Sequence, residues 1–271
     1  MIIGIVLLSI VLFLSLGSFI GAFSYRLPKN IKVSKGRSFC PYCKEEINWY
    51  DNIPLLSYFL LGGKCRNCCK KISKREPFIE FFTAVVLSIV SYRLVTCFGL
   101  FYLPFDTSVV CNLSLKYGLV MIIFWLVVIV LLNTILVIDL ENFIIPDSLV
   151  FFLYLVISLF LIMNPTQAIY LHLFSGLIAS SFLLLLNLIT KGKGMGLGDV
   201  KLALVIGTIL SFKLMVVWML FSFVLGAIVG IFLLLTGKAK IGNPIPFGPF
   251  LIIGFYALII ITDISFLWGL M

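Results

Sequence analysis

The sequence predicts an all-α polytopic membrane protein of about eight transmembrane helices, with a small cytoplasmic zinc-ribbon-like insertion. Three observations carry that prediction. Of 271 residues, 62% are hydrophobic and only 11% charged, against roughly 25% charged in a soluble domain. Apolar stretches recur along almost the whole chain. And 12 of the 20 Lys and Arg residues crowd between Arg26 and Arg75, the one long polar interval, which also holds two C-x-x-C pairs. So few charges cannot clothe a water-facing surface, and the bilayer is the main solvent.

The apolar stretches run over 2–22, 78–97, 117–138, 148–163, 168–190, 200–212, 214–236 and 249–270. A span needs about 20 residues, so 148–163 and 200–212 are short and are read as buried within the bundle or re-entrant, with seven or six spans as alternatives to eight. Residues 1–22 lack the basic start and A-x-A site of a signal peptide and are read as a first transmembrane helix. The basic residues from Arg26 onward then place the amino terminus outside and 23–76 in the cytoplasm. Continuing the count puts the loops at 139–147, 191–199 and 237–248 inside, with Lys191, Lys193, Lys238 and Lys240, and leaves Arg93, Lys116 and Lys213 outside. Charge bias and helix count agree. Three regions follow: the first helix (1–22), the cytoplasmic four-cysteine segment (23–76) and a membrane-embedded remainder (77–271).

Several function classes fall away. His172 is the single histidine and lies in an apolar run, where it is read as packed. Ser–His–Asp and Cys–His catalysis and most histidine-ligated metal sites are thereby removed. The net charge of +9 does not point to nucleic acid, because no helix–turn–helix or aromatic RNA-reading pattern accompanies it. Basic loops of a membrane protein face anionic lipids instead.

The four-cysteine segment reads FCPYCKEEINWYDNIPLLSYFLLGGKCRNCC. Cys40 and Cys43 form one pair, Cys65 and Cys68 the other, with 21 residues between. Two such pairs supply the four thiolates of a closed tetrahedral Zn²⁺ site, which is structural because no position remains for substrate. A cytoplasmic setting keeps thiols reduced. Cys69 is read as a bystander, and a Cys97–Cys111 disulfide across the first outer loop is the minor alternative to free thiols there.

Two loops assigned to the same side carry acids at the membrane boundary: V-I-D139-L-E-N-F-I-I-P-D147 and K-G-K-G-M-G196-L-G198-D199-V-K201-L. A carboxylate in a span costs about 2.5–3.5 kcal/mol at the bilayer centre and less near its edge, so Asp139 and Asp199 are candidate catalytic groups. Two carboxylates sharing one proton can run hydrolysis on a bound water. Gly194, Gly196 and Gly198 would allow positive φ and close approach of a substrate backbone. The alternative for Asp199 is that it caps the next helix. Asp147, after Pro146, is read as a cap, and Lys201 as an interfacial lysine snorkelling to the headgroups rather than an acid's partner. Glu80 either lines the site or faces the headgroups. Gly196, Gly198, Asp147, Lys201 and Glu80 form the supporting set.

Together with G17-S-F-I-G-A-F-S-Y-R-L-P28, D51-N-I-P-L-L-S-Y58, R75-E-P-F-I-E80 and a late I-P-F-G-P-F250, these motifs closely resemble the type IV prepilin leader peptidases, bacterial inner-membrane aspartic proteases. The likeness covers nearly the whole chain. It implies removal of a short basic leader from prepilins or pilin-like proteins at the cytoplasmic face, with the family's two catalytic aspartates at Asp139 and Asp199. It also implies N-methylation of the new terminus with S-adenosylmethionine in many members, although no glycine-rich fingerprint marks that donor's site. The implied partners are the pilin-like substrate and membrane lipids, not nucleic acid, and oligomeric state is left open. Cys69, where a glycine is usual, departs from the pattern. The competing class is an ion- or proton-coupled transporter, whose boundary acids would bind a cation.

Overall fold

The computed structural model describes residues 2–29, 31, 38–97, 115–163, 169–192, 194–238 and 245–262. Among them the fold is helical: α1 (Ile2–Arg26), α2 (Leu56–Leu60), α3 (Arg75–Cys97), α4 (Leu115–Asn142), α5 (Asp147–Met163), α6 (Ile169–Ile189), α7 (Leu197–Ile209), α8 (Phe212–Leu235) and α9 (Gly248–Ile261). Each of the eight apolar stretches forms a helix. Five are long and apolar enough to cross a membrane, in α1, α3, α4, α6 and α8. The other three have 17, 13 and 14 residues (α5, α7 and α9). The shortness of α5 and α7 matches the sequence; α9 runs to Ile261, and the remainder of its apolar stretch, 263–270, lies outside the described residues. The Cys97–Cys111 question falls outside the described residues, as do Lys193 and Lys240.

The chain divides into two compact units, Met1–Ile89 and Val90–Met271. In the first, α1 and α3 touch backbone to backbone. A Cβ on Gly17 would come 2.6 Å from Glu80 Cα, so only glycine permits this approach, the small-residue contact by which helices associate in lipid. At the end of α1 the Arg75 guanidinium donates to the Gly21 carbonyl at 3.0 Å and to Ser24 Oγ at 2.7 Å. It thereby ties the start of α3 to the last turns of α1, on a carbonyl that also accepts from Ser24 Oγ.

The polar interval between these helices folds as a duplicated knuckle. Phe39 bridges to Glu46 and Lys64 to Lys71. Inside each bridge the first cysteine's N–H donates five residues ahead, Cys40 to Glu45 and Cys65 to Lys70, both at 2.9 Å. The residue after the second cysteine, Lys44 or Cys69, takes a left-handed conformation, at φ 62° and 56°. That is the backbone region glycine enters most freely, which gives a physical reason for a glycine at position 69 and shows that a cysteine is accommodated there.

The second unit is arranged around α7. Val200, Leu202, Ala203 and every residue from Val205 to Ile209 are buried, and α5, α6 and α9 pack on it. At 1.5 Å per residue this helix is about 20 Å long, short of the ~30 Å hydrocarbon core; a protein sheath replaces the lipid it could not cross. The closest seam is with α6, where a Cβ on Gly207 would lie 2.9 Å from Gly176 Cα and 3.0 Å from Ala179 Cβ. Two buried hydrogen bonds fix α9, from Trp218 Nε1 to the Leu251 carbonyl at 2.8 Å and from Tyr256 Oη to Asn133 Oδ1 at 2.7 Å. His172 is buried on α6, as its sequence context implies.

Gly207→Val should therefore lower stability by about 1–3 kcal/mol through overpacking, read as earlier unfolding of purified protein in a denaturing detergent series. Gly4→Ala, whose new methyl group would meet nothing within 4 Å, should leave the transition in place.

Candidate active site

Asp139 occupies the last turn of α4 and Asp199 the first turn of α7, and both side chains are buried, at 4% and 8% exposure. Each is held there by local structure. Helix α4 ends at Asn142, and the chain turns through Phe143 at φ 56° before Pro146 leads into α5 at Asp147. Gly196 is the N-cap of α7, and Asp199 Oδ2 accepts its backbone N–H at 3.2 Å. Asp199 therefore does take part in capping, from the third helical position rather than as the N-cap itself.

The two carboxylates come together at Gly248, the first residue of α9. The Gly248 backbone amide lies near both, and the two acids are close enough to interact electrostatically. Asp139 Oδ2 rests directly on Gly248 Cα, in the space a Cβ would need. This oxygen is fully buried and has no hydrogen-bond partner among the described residues. Such an atom costs about 1–3 kcal/mol, more when charged, unless a proton or water fills the gap. Ile145, from the α4–α5 turn, closes the same corner: a Cβ on Gly198 would come 2.9 Å from Ile145 Cβ, and one on Gly248 3.2 Å from its Cδ1.

The glycines of the G-x-G-D element therefore act by close approach alone. Gly196 has φ −76°, and Gly198 lies inside α7, so neither uses the positive φ the sequence allowed. That conformation is taken by Lys191 and Gly192 instead, at φ 51° and 76°. The reading of Lys201 is also corrected. Its ammonium pairs with Asp147 Oδ1 at 2.6 Å, because α7 packs beside α5 and Lys201 points away from Asp199 toward the start of that helix. Asp147 is the first residue of α5, where a negative charge suits the helix dipole. The pair is exposed on both sides and contributes little to stability; it ties α5 to α7.

Glu80 lies in the first unit, 7% exposed, where its Oε2 accepts the Leu55 N–H at 2.8 Å. It anchors the cysteine segment to α3, a role neither sequence alternative described. Gly248 and Ile145 were not singled out by sequence. A Gly-Pro step opening an apolar run is a helix-start signal and could have marked Gly248; nothing local marks Ile145.

The four cysteines form the second centre. The sulfurs of Cys40, Cys43, Cys65 and Cys68 all lie within 4.8 Å of one another. Cys40 Sγ and Cys68 Sγ stand 3.8 Å apart, the edge of about 3.8 Å that a tetrahedron with ~2.3 Å Zn–S bonds requires. The Cys43 backbone N–H aimed at its sulfur brings the Cys40 thiol down to about 6, so it offers a thiolate near neutral pH. Cys69 is exposed and outside the cluster. Arg66, inside the second knuckle, grips Asp51 with two hydrogen bonds of 2.8 and 2.6 Å, joining the linker to the second cysteine pair.

Residues 11–94 match the bacterial peptidase A24 N-terminal domain, and residues 125–231 match the type IV leader peptidase family. A prepilin leader peptidase/N-methyltransferase of Pseudomonas aeruginosa is 31% identical over 97% of this chain and 90% of its own. Proteins of the same name from Vibrio cholerae (30%, covering 89% and 91%) and Bacillus subtilis (29%, covering 87% and 86%) are similar to it as well. No solved structure matches the chain. None of these relatives supports the transporter alternative. With its paired boundary carboxylates, its four-cysteine centre and this likeness along nearly its full length, the chain belongs to the type IV leader peptidase family.

Proposed function

We propose that this protein removes the short basic leader of type IV prepilins or pilin-like proteins as an aspartic endopeptidase, with Asp139 and Asp199 as its working carboxylates. The observation that carries the assignment is the meeting of two buried acids, 60 residues apart in sequence, around one backbone amide. One carboxylate takes a proton from a water as its oxygen adds to the scissile carbonyl; the other gives a proton to that carbonyl oxygen. Proton transfer to the amide nitrogen then lets the C–N bond break. The orphaned Asp139 Oδ2 is the atom best placed to receive that water. Gly248 would position the pair, its N–H facing the negative charge and its missing side chain admitting the oxygen.

The basic residues near α1, α3 and the later loops support a site facing the cytoplasm of a bacterial inner membrane. A prepilin's basic leader remains on that side too, which brings its scissile bond to the bilayer edge. The first helix, the four-cysteine segment and the remainder are proposed as the working divisions of the chain. The cysteine centre fits a structural Zn²⁺ held by Cys40, Cys43, Cys65 and Cys68. A second activity, N-methylation of the new terminus, would draw its methyl group from S-adenosylmethionine.

Asp139→Asn and Asp199→Asn should each abolish leader removal by purified enzyme, judged by the mass of the substrate's amino terminus, while membrane insertion persists; cleavage by both single variants would falsify the dyad. Gly248→Val, which drives a side chain into Asp139 Oδ2, should cut kcat at least about 100-fold with little change in KM. Purified protein should carry one Zn per chain by elemental analysis, and Cys40→Ser or Cys68→Ser should lose it, whereas Cys69→Ser should retain it.

A further inference from the structure

The lobe between the two knuckles has a surface that neither metal binding nor the carboxylate pair uses. On α2, Leu56, Phe59 and Leu60 recur at i, i+3 and i+4, so they share one helix face, and they are 53, 73 and 77% exposed. Trp49, 78% exposed, stands on the 3₁₀ turn Trp49–Asn52 that packs beside α2. From Trp49 to Leu61 the only charged residue is Asp51, and Arg66 neutralises it through both carboxylate oxygens. The second knuckle is the reverse, with Lys64, Lys70, Lys71 and Lys74 all exposed, whereas the first carries Lys44 beside Glu45 and Glu46. Apolar and basic surface are segregated within one short segment.

We infer that this face rests in the lipid interface of the leaflet at the Arg75 end of α3, with the surrounding lysines meeting anionic headgroups. The depth follows from one hydrogen bond. Leu55, the residue before α2, donates its N–H to Glu80, and Glu80 lies five residues into the candidate span Arg75–Leu94. That is about 7.5 Å along the helix axis. An interfacial helix buries its apolar face about 5–10 Å into the headgroup–acyl boundary, so the bond holds α2 at the level such a face occupies. Trp49 and Tyr50 are the side chains enriched there. Both ends of the lobe also run into membrane-spanning helices, α1 and α3, so it has no route away from the bilayer. Charge complementarity favours a lipid surface: a prepilin leader is basic and would be repelled by the same lysines.

The test uses full-length protein, with its bound metal, in phosphatidylcholine/phosphatidylglycerol vesicles. A benzophenone amino acid replaces Phe59 in one variant and Glu46, on the first knuckle, in another; retained zinc and elution position verify folding of each. After irradiation, mass analysis should find lipid adducts at position 59 and several-fold fewer at position 46. Adducts at 59 that go instead to a second copy or to added prepilin, equal lipid labelling at both positions, or no lipid adduct at 59 would overturn the inference. The outcome is independent of the peptidase assignment, since no step of it reads cleavage.

Discussion

Two carboxylates buried against a single backbone amide set the terms for the larger unit. Each acid alone is expensive at a membrane boundary, and neither pairs with a cation among the described residues: Lys201, two residues from Asp199, is engaged with Asp147. What surrounds them is backbone. The Gly196 N–H holds Asp199, the Gly248 backbone amide lies near both acids, and three glycines leave the room for these approaches. Replacing any of those glycines by a residue with a side chain would place atoms where a carboxylate or Ile145 now sits. The pair thus depends on absent side chains as much as on present ones.

The first unit solves a related problem by a different route. Three of its five acids are held in this way, Asp51 by Arg66, Glu76 by Arg75 and Glu80 by the Leu55 amide. Arg75 also clamps the end of α1, and Gly17 lets α1 lie on α3. These contacts make a rigid stem for the duplicated knuckle, whose own framework of bridges and left-handed residues presents four sulfurs on one small volume. A closed four-thiolate shell contributes folding free energy rather than chemistry, consistent with a lobe that has little apolar core of its own.

Much of this was legible in the sequence because it is written in residue type and spacing. Apolar runs marked all eight long elements, and C-x-x-C spacing marked the four cysteines whose sulfurs gather in one place. What was hidden depends on tertiary neighbours. Lys201 was read from its distance to Asp199 along the chain, whereas its partner is set by how α7 packs on α5. Glu80 could not be placed because its partner is a main-chain N–H, which carries no signature. Gly248 contributes an N–H and an empty position, both invisible to a search for chemical side chains.

The three short helices then have a common physical meaning. A helix that spans the bilayer leaves both ends at the headgroups; one of 13 or 14 residues leaves an end elsewhere. Helix α7 begins at the Gly196 amide that holds Asp199, α9 begins at Gly248 between both carboxylates, and α5 begins at Asp147, two residues after the Ile145 that covers them. The starts of these three helices therefore lie around one corner, each bringing the positive end of its dipole toward it. In a low-dielectric setting such fixed dipoles act more strongly than they would in water, and they need no counter-ion that could compete with a substrate. With α5, α7 and α9 all beginning at this corner, the protein assembles a polar site from backbone while keeping its charged side chains to a minimum.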